Sequence, residues 1–227
     1  MPFVTQLQTV SGPKQARSEQ TLRRLLAAAE ELIVAKGHRA VSVPEIARRA
    51  GSSVGGFYAR FRDKNELLRA LEERHFLELS ARVERLADRS RWTDAPAAVI
   101  VEAAVAELVT TTRERRHMIA AFLARALEDP IILAGGLQFR RSVEDRLSAL
   151  LLTRREEITH PDPPLAIALA IQTAFAIMQQ HVLIEETHAG GRTLGDDELQ
   201  REITTLVLRY VGIEPRRRTA ARDRRRP

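Results

Sequence analysis

Apolar residues recur along this chain at three- and four-residue intervals, and no stretch alternates in the way a half-buried strand requires. Leu22, Leu25, Leu26, Ala29, Leu32 and Ile33 form one stripe, which predicts an amphipathic helix from about Ser18 to Lys36, closed by Gly37. Ser42-Val43-Pro44-Glu45 has the form of a capping box, with proline in the first turn, where its missing N–H costs nothing. The short helix it opens puts Val43, Ile46, Ala47 and Ala50 on one face. Gly51 ends it, because glycine tolerates positive φ. From Gly51 to Lys64 the pattern reads as a tight turn, one more short helix and a stop. Asp63-Lys64-Asn65-Glu66 is a second capping box, and the long helix it starts runs through Leu67, Leu71, Phe76, Leu79, Val83 and Leu86 to about Ala87.

The rest of the chain repeats this grammar. Asp94 with Pro96 opens a helix through Val99, Val105 and Val109, and a short helix holding Met118, Phe122 and Leu127 ends before Pro130. The next helix is expected from about Ile131 to Glu157, with Gly135-Gly136 as a weak point or kink. Asp162-Pro163-Pro164 caps a helix from Leu165 to Glu186, and the last runs from Asp196 to Val211. The segment Leu165–Ile184 is apolar around nearly its whole circumference, so it is buried on more than one side, against the core or a second subunit. Paired with the last helix it could build a four-helix dimer interface through Leu169, Phe175, Ile177, Val182, Ile203, Val207 and Tyr210.

Charge is segregated. Lys14 to Lys64 holds eleven Lys/Arg against five Asp/Glu, and Pro215 to Pro227 holds seven Arg against one Asp. The 150 residues between carry eighteen basic and twenty-four acidic side chains, so the overall +6 conceals a basic head and tail around an acidic body. That distribution suits a protein that presents its ends to a polyanion. The chain has no cysteine, which excludes disulfides and thiolate metal sites and fits a reducing cytoplasm. Residues 1–15 lack the form of a signal peptide, and no uninterrupted apolar run spans a bilayer, so no membrane partner is expected.

Two short helices joined through a glycine-containing turn are the helix-turn-helix unit of DNA-binding proteins. Small residues at the start of the second helix, Ser52, Ser53, Gly55 and Gly56, let its backbone and hydroxyls come close to phosphates and base edges. Other chemistry fits poorly. Gly51–Gly56 lacks the Lys-Ser/Thr ending and preceding strand of a phosphate loop. The histidines are too scattered to hold a metal, His181 and His188 reading as solvated or polar-core residues. No Ser/His/Asp set can be assembled, so no catalytic residue, metal or cofactor is expected.

Residues 18–68 strongly resemble the tetracycline-repressor (TetR) family of bacterial transcription regulators. The resemblance rests on the Ala-rich first helix ending at Gly37, Ser42-Val43, Glu45-Ile46-Ala47, Ala50-Gly51-Ser52, Gly55, Phe57-Tyr58, Phe61, and Lys64 followed by Leu67-Leu68. It implies an all-α protein of about nine helices: an N-terminal three-helix DNA-binding domain and a C-terminal helical domain for effector binding and dimerisation. The corresponding boundaries are a flexible arm over 1–17, the DNA-binding domain over 18–68, the effector and dimer domain over 69–213, and a disordered Arg-rich tail over 214–227. It further implies a homodimer on a palindromic operator in double-stranded DNA, most simply a repressor released by a small, mainly apolar effector. The alternative is an activator or architectural DNA-binding protein with no effector.

Carried over position by position, Ser53, Val54, Gly55, Gly56 and Phe57 correspond to the recognition helix. Tyr58, Lys64 and Ser42 match phosphate-contacting positions. Arg60 stands where the family often has His, and as Arg it could take a phosphate or a guanine edge. Arg17 and Ser52 complete the expected DNA surface, and Phe57 and Phe61 fit packing better than reading. In the body, Met118, Phe122, Phe139, Gln172, Phe175 and Met178 are the candidates for a ligand pocket, since they combine adaptable apolar surface with one amide.

Overall fold

A computed structural model describes residues 13–184 and 187–215. Among the described residues the fold is all-α: nine helices, two short 3-10 segments and one two-stranded hairpin. The chain divides into two compact units, and the division falls between His75 and Phe76 rather than after Leu68. One reason is a side-chain tie. Arg74, on the fourth helix, hydrogen-bonds Glu30 on the first, which keeps three turns of that fourth helix with the N-terminal unit.

The N-terminal unit contains α1 (Pro13–Lys36), α2 (Val43–Arg49), α3 (Val54–Tyr58) and the start of α4 (Lys64–Ala87). Helix α1 begins at Pro13, not near Ser18, so residues 13–17 of the expected arm are helical; proline suits a first turn because its absent N–H would be unpaired there. Residues 1–12 of that arm, and residues 216–227 of the expected tail, lie outside the described residues. The predicted apolar stripe turns inward. Leu25, Ala29, Ile33, Ile46, Ala47, Phe57, Leu67 and Leu68 are all but sealed from solvent.

The turn between α2 and α3 is set by Gly51, at φ +59°. The Ser52 N–H donates to Ala47 O at 2.8 Å and the Gly51 N–H to Arg48 O at 3.1 Å, the paired closure of a Schellman motif. The second capping box forms in altered shape. Asp63 Oδ1 accepts from the Glu66 N–H at 2.8 Å, while Glu66 reaches one residue further back, to the Arg62 N–H at 2.6 Å.

The second unit holds the end of α4, a 3-10 turn over Arg89–Trp92, α5 (Ala97–Glu114), α6 (Arg116–Ala126), α7 (Pro130–Leu151), a 3-10 segment Leu152–Glu157, α8 (Pro163–Ile184), β1 (Thr187–Ala189), β2 (Arg192–Leu194) and α9 (Asp196–Val211). Its core is built where α5, α8 and α9 pack on one another, from Ile100, Val101 and Val105, Ala166, Ile167 and Ala170, and Leu199, Ile203 and Val207. Trp92 anchors the loop after α4, donating its indole N–H to Leu86 O at 2.7 Å.

Four expectations are corrected. Helix α7 continues unbroken through Gly135-Gly136, and the break comes at Arg154, whose φ of −116° and ψ of 33° leave the helical region. There the guanidinium gathers the carbonyls of Ala95, Trp92 and Thr93, pairing groups that the loop before α5 would otherwise leave open. Helix α5 is capped not by the expected Asp94 but by Glu157, whose Oε2 accepts from the Ala97 N–H at 2.8 Å. Between α8 and α9 the chain makes an antiparallel hairpin, Thr187 opposite Leu194, turned by Gly190 and Gly191, both at positive φ. Glu185 and Glu186 lie outside the described residues.

The last correction concerns α8, which is long and apolar enough on average to cross a membrane. In the fold one side of it, with Ala166, Ile167, Ala170, Ala174 and Met178, is packed into the core. The other side is exposed along its length, at Leu165, Leu169, Gln172, Ala176, Gln180 and Leu183.

Where α9 ends, Gly212 adopts φ +76° and the linker leading to α8 docks on it. The Thr159 N–H and hydroxyl donate to Gly212 O at 3.1 and 2.9 Å, and the His160 N–H to Val211 O at 3.3 Å.

Candidate nucleic-acid interface

Helix α3 has five residues, two of them glycine, and it stands on the core by one side chain. Phe57 is 0% exposed, 5.4 Å from the Phe61 ring, and the edge of Tyr58 meets it at 5.4 Å. This removes Phe57 from the set of expected DNA contacts and makes it the anchor of the helix. At the N-terminus Ser53 Oγ accepts from the Gly56 N–H at 2.9 Å. A side chain on Gly56 would crowd this cap, its Cβ lying 2.6 Å from Ser52 Oγ and 3.3 Å from Ser53 Oγ. Gly55 has more room, the nearest atom to a Cβ there being Ser53 Oγ at 3.8 Å.

The outward face of α3 therefore consists of Ser53, Val54, Gly55, Tyr58 and Ala59, all exposed. Tyr58 is 54% exposed, and among the described residues its hydroxyl has no hydrogen-bond partner. Arg48 on α2, exposed and outside any ion pair among the described residues, adds a positive charge that the sequence reading missed. The sequence shows two adjacent arginines and does not tell them apart; in the fold the guanidinium of Arg49 is taken by Glu31 at 2.6 Å.

Two expected phosphate ligands are engaged elsewhere. Lys64 Nζ donates to His38 O at 3.1 Å and Val41 O at 3.0 Å, binding together the loop between α1 and α2. Arg60 is turned onto backbone, with Nη1 donating to Gly56 O at 3.1 Å and Nη2 lying 3.4 Å from both Ser18 O and Ser18 Oγ. A cation placed among carbonyls saves them from going unpaired, and that need outweighs an exposed position. Replacing Lys64 by Met should therefore lower the stability of the first unit by about 1–3 kcal/mol through the carbonyls left behind. Thermal unfolding followed by circular dichroism measures this.

Ser42 is also occupied. Its hydroxyl and its N–H both donate to Glu45 Oε2, at 2.7 and 3.0 Å, while Lys36 Nζ donates to Glu45 Oε1 at 2.6 Å. These bonds, that of Lys36 first, hold the Glu45 carboxyl down at about 2. The linkage has a definite sign: stability from Glu45 is in full above the ordinary carboxylate range and disappears as pH falls toward about 2. Glu45→Gln should flatten that acid limb of a melting-temperature profile, relative to the wild type. Arg17 falls within the opening of α1, and its side chain lies outside the described residues.

In the second unit two of the six pocket candidates, Phe122 and Phe139, meet on a third ring, Phe76. Phe139 stacks on Phe76 at 4.8 Å with ring planes 9° apart, and Phe122 lies 6.4 Å from Phe76. Phe76, which no sequence signal separated from ordinary core, is the centre of this aromatic group. Met118 and Met178 are buried and Phe175 is half-buried. Gln172 is exposed, its amide donating to Glu144 Oε2 at 3.2 Å. Of the expected interface residues, Val182 on α8 and Ile203 and Val207 on α9 are buried inside the protomer; the all-round apolar composition of α8 hid which of its sides turns inward, while α9 turns its apolar stripe into the core. Leu169 and Tyr210 of that expected set are exposed, alongside Leu165 and Leu183 on α8 and Leu206 on α9; Phe175 and Ile177 are half-buried. His181 is a buried polar residue, its Nδ1 2.9 Å from Thr187 Oγ1 and its Nε2 3.4 Å from Asp196 Oδ1.

Comparison with known proteins bears on both units. Residues 25–71 match the family of bacterial regulatory proteins, tetR family. A bacterial regulatory protein of the tetR family from Rhodococcus RHA1 superposes with a TM-score of 0.65 at 21% identity, covering 86% of this chain and 98% of that one. The TetR-family transcriptional regulator PfmR from Thermus thermophilus does so at 0.62 and 20%, covering 82% and 97%. A TetR transcription regulator from Haloarcula marismortui reaches 0.66 at 14%, covering 86% and 97%. No curated protein matches the sequence.

Proposed function

We propose that this chain, with a TetR-family N-terminal domain on a TetR-type all-helical fold, is a homodimeric DNA-binding transcriptional regulator. The observation that carries the DNA half is α3, a glycine-bearing helix capped by Ser53, rooted by buried Phe57 and exposed at Val54, Gly55 and Tyr58. Such a surface suits the close approach of a recognition helix to base edges. The outer apolar side of α8 and α9 supports a second copy as partner, related by a two-fold axis. Two copies present two recognition helices, and half-sites about 34–36 Å apart then follow for adjacent turns of the duplex.

For control, the reading is a repressor of the cytoplasm, released by a small and mainly apolar effector. The support is the group Phe76, Phe122 and Phe139 in the second unit, an adaptable aromatic surface beside the core. Helix α4 begins in the first unit and continues into the second, so a shift of its far end is a physical route between effector and DNA. A coupling of roughly 1–3 kcal/mol, about 5- to 150-fold in affinity, would be enough for switching.

Selection from a random duplex pool tests the DNA half. It should enrich a palindrome whose affinity falls linearly with salt on logarithmic axes. Equal affinity for selected and random duplex at one salt concentration would refute the reading. Sedimentation at micromolar protein tests the dimer. An effector titration that never shifts DNA affinity would leave the alternative, an activator or architectural protein without a small ligand.

A further inference from the structure

The structure assigns Arg60 the role of a positioning residue: it ties α3 to the start of α1, and sequence discrimination depends on that tie without Arg60 contacting DNA. This rests on the DNA-binding reading above.

Helix α3 is ill-equipped to hold itself. Gly55 and Gly56 are poor helix formers, and five residues make few internal bonds. At its C-terminal end the Arg60 N–H turns back to Phe57 O at 2.9 Å, one residue short of the Gly56 carbonyl that an α-helix would use. The side chain of the same residue then fills the gap, Nη1 donating to Gly56 O at 3.1 Å. Nη2 reaches across 42 positions of sequence to Ser18 O and Ser18 Oγ. The Nε atom is buried and the residue half-buried, so the stem of the guanidinium lies against the unit while Nη2 meets Ser18 at its surface.

A planar fork suits this task. One guanidinium can bridge the recognition helix and α1 in a fixed geometry, which a lysine ammonium on a flexible stem cannot copy. Base reading depends on hydrogen bonds and contacts of narrow tolerance, whereas phosphate attraction tolerates small displacements. Loss of the tie therefore degrades discrimination while leaving the phosphate contacts intact.

The experiment uses the full chain as wild type, Arg60→Gln and Arg60→Lys, with two duplexes of equal length. One is the site that the wild type selects from a random pool, and the other is random sequence. Affinities are measured over a salt series, well below each variant's melting temperature. For Arg60→Gln the ratio of selected to random affinity should fall by roughly tenfold or more, the scale of one or more misread base pairs. The salt slope on random duplex should be unchanged, and Arg60→Lys should fail to restore the ratio. A salt slope lowered by about 0.9 for each protomer in Arg60→Gln, restored by Arg60→Lys, would make Arg60 a phosphate ligand and overturn the proposal. A lowered melting temperature with the ratio preserved would also overturn it, leaving only a structural role. If the wild type shows no preference for its selected duplex, the DNA-binding reading itself fails. Should Arg60→Gln not fold, Arg60→Lys alone decides, since a preserved ratio there means that the fork is not needed.

Discussion

Replacing Gly212 by alanine should lower the unfolding midpoint by roughly 5–15 °C, at about 2–4 °C per kcal/mol for a chain of this size. Two effects add. The residue sits at φ +76°, in the left-handed region, where a Cβ costs about 1–2 kcal/mol. That Cβ would also overlap Thr159 Oγ1 and lie 3.3 Å from Thr159 Cβ and 3.1 Å from the His160 backbone N. These atoms cannot step aside cheaply, since Thr159 and His160 hydrogen-bond to Gly212 O and Val211 O at that very spot. Overpacking of this kind adds about 1–3 kcal/mol. Gly191→Ala is the matched control: its φ is +77°, yet no atom lies within 4 Å of the added Cβ. Differential scanning calorimetry of both variants separates the terms. An equal effect at the two positions would mean that the docking of the linker on α9 contributes nothing.

Gly55→Leu should do the opposite, leaving the protein as stable as before or slightly more so while weakening its binding to the selected duplex by at least about tenfold, the cost of one misread base pair or more. Gly55 is exposed, its φ lies outside the left-handed region, and a Cβ meets only Ser53 Oγ at ordinary contact distance. Leucine is also the better helix former by most of a kcal/mol, an advantage of about 0.7–1 kcal/mol in a helix interior. No contact of the added Cβ resists the change and the position is exposed, so a loss of affinity with the melt unchanged must come from the surface that approaches DNA. Fluorescence anisotropy at fixed salt, beside a thermal melt, measures both quantities. Unchanged affinity would place the DNA surface away from the exposed side of α3.

Much of the fold was legible because helices announce themselves twice, through apolar spacing and through caps. Ser42 with Glu45, Asp63 with Glu66, and Gly51 are local signals whose meaning depends on neighbours within a few residues. The hairpin escaped because three-residue strands such as Thr187–Ala189 are too short to show alternation; only the adjacent Gly190 and Gly191 marked it. Which side of α8 faces inward was illegible for a different reason: Leu165 and Ile167 are chemically alike, and packing alone buries the second and exposes the first.

At the candidate site the positions were readable but not their allegiances. Tyr58 and Val54 are exposed as the resemblance implies, and Phe57 is packed. Lys64 and Arg60 have long flexible stems, so their partners are chosen by carbonyls at His38, Val41, Gly56 and Ser18. Those carbonyls come near only once the chain has folded. A one-dimensional pattern has no way to report this.

The clamp at Arg154 bears on how the second unit opens. The stretch from Asp88 to Pro96 has little regular helix and would ordinarily fray by itself. Its carbonyls at Trp92, Thr93 and Ala95 are instead held by one guanidinium some sixty residues away, and the next amide, Ala97, by Glu157 from the same 3-10 segment. Releasing any of these groups means undoing a contact between distant parts of the chain, so the loop cannot breathe alone. Its amide protons should exchange with solvent together with those of the α5 core, in one cooperative opening, rather than at the rate of a surface loop.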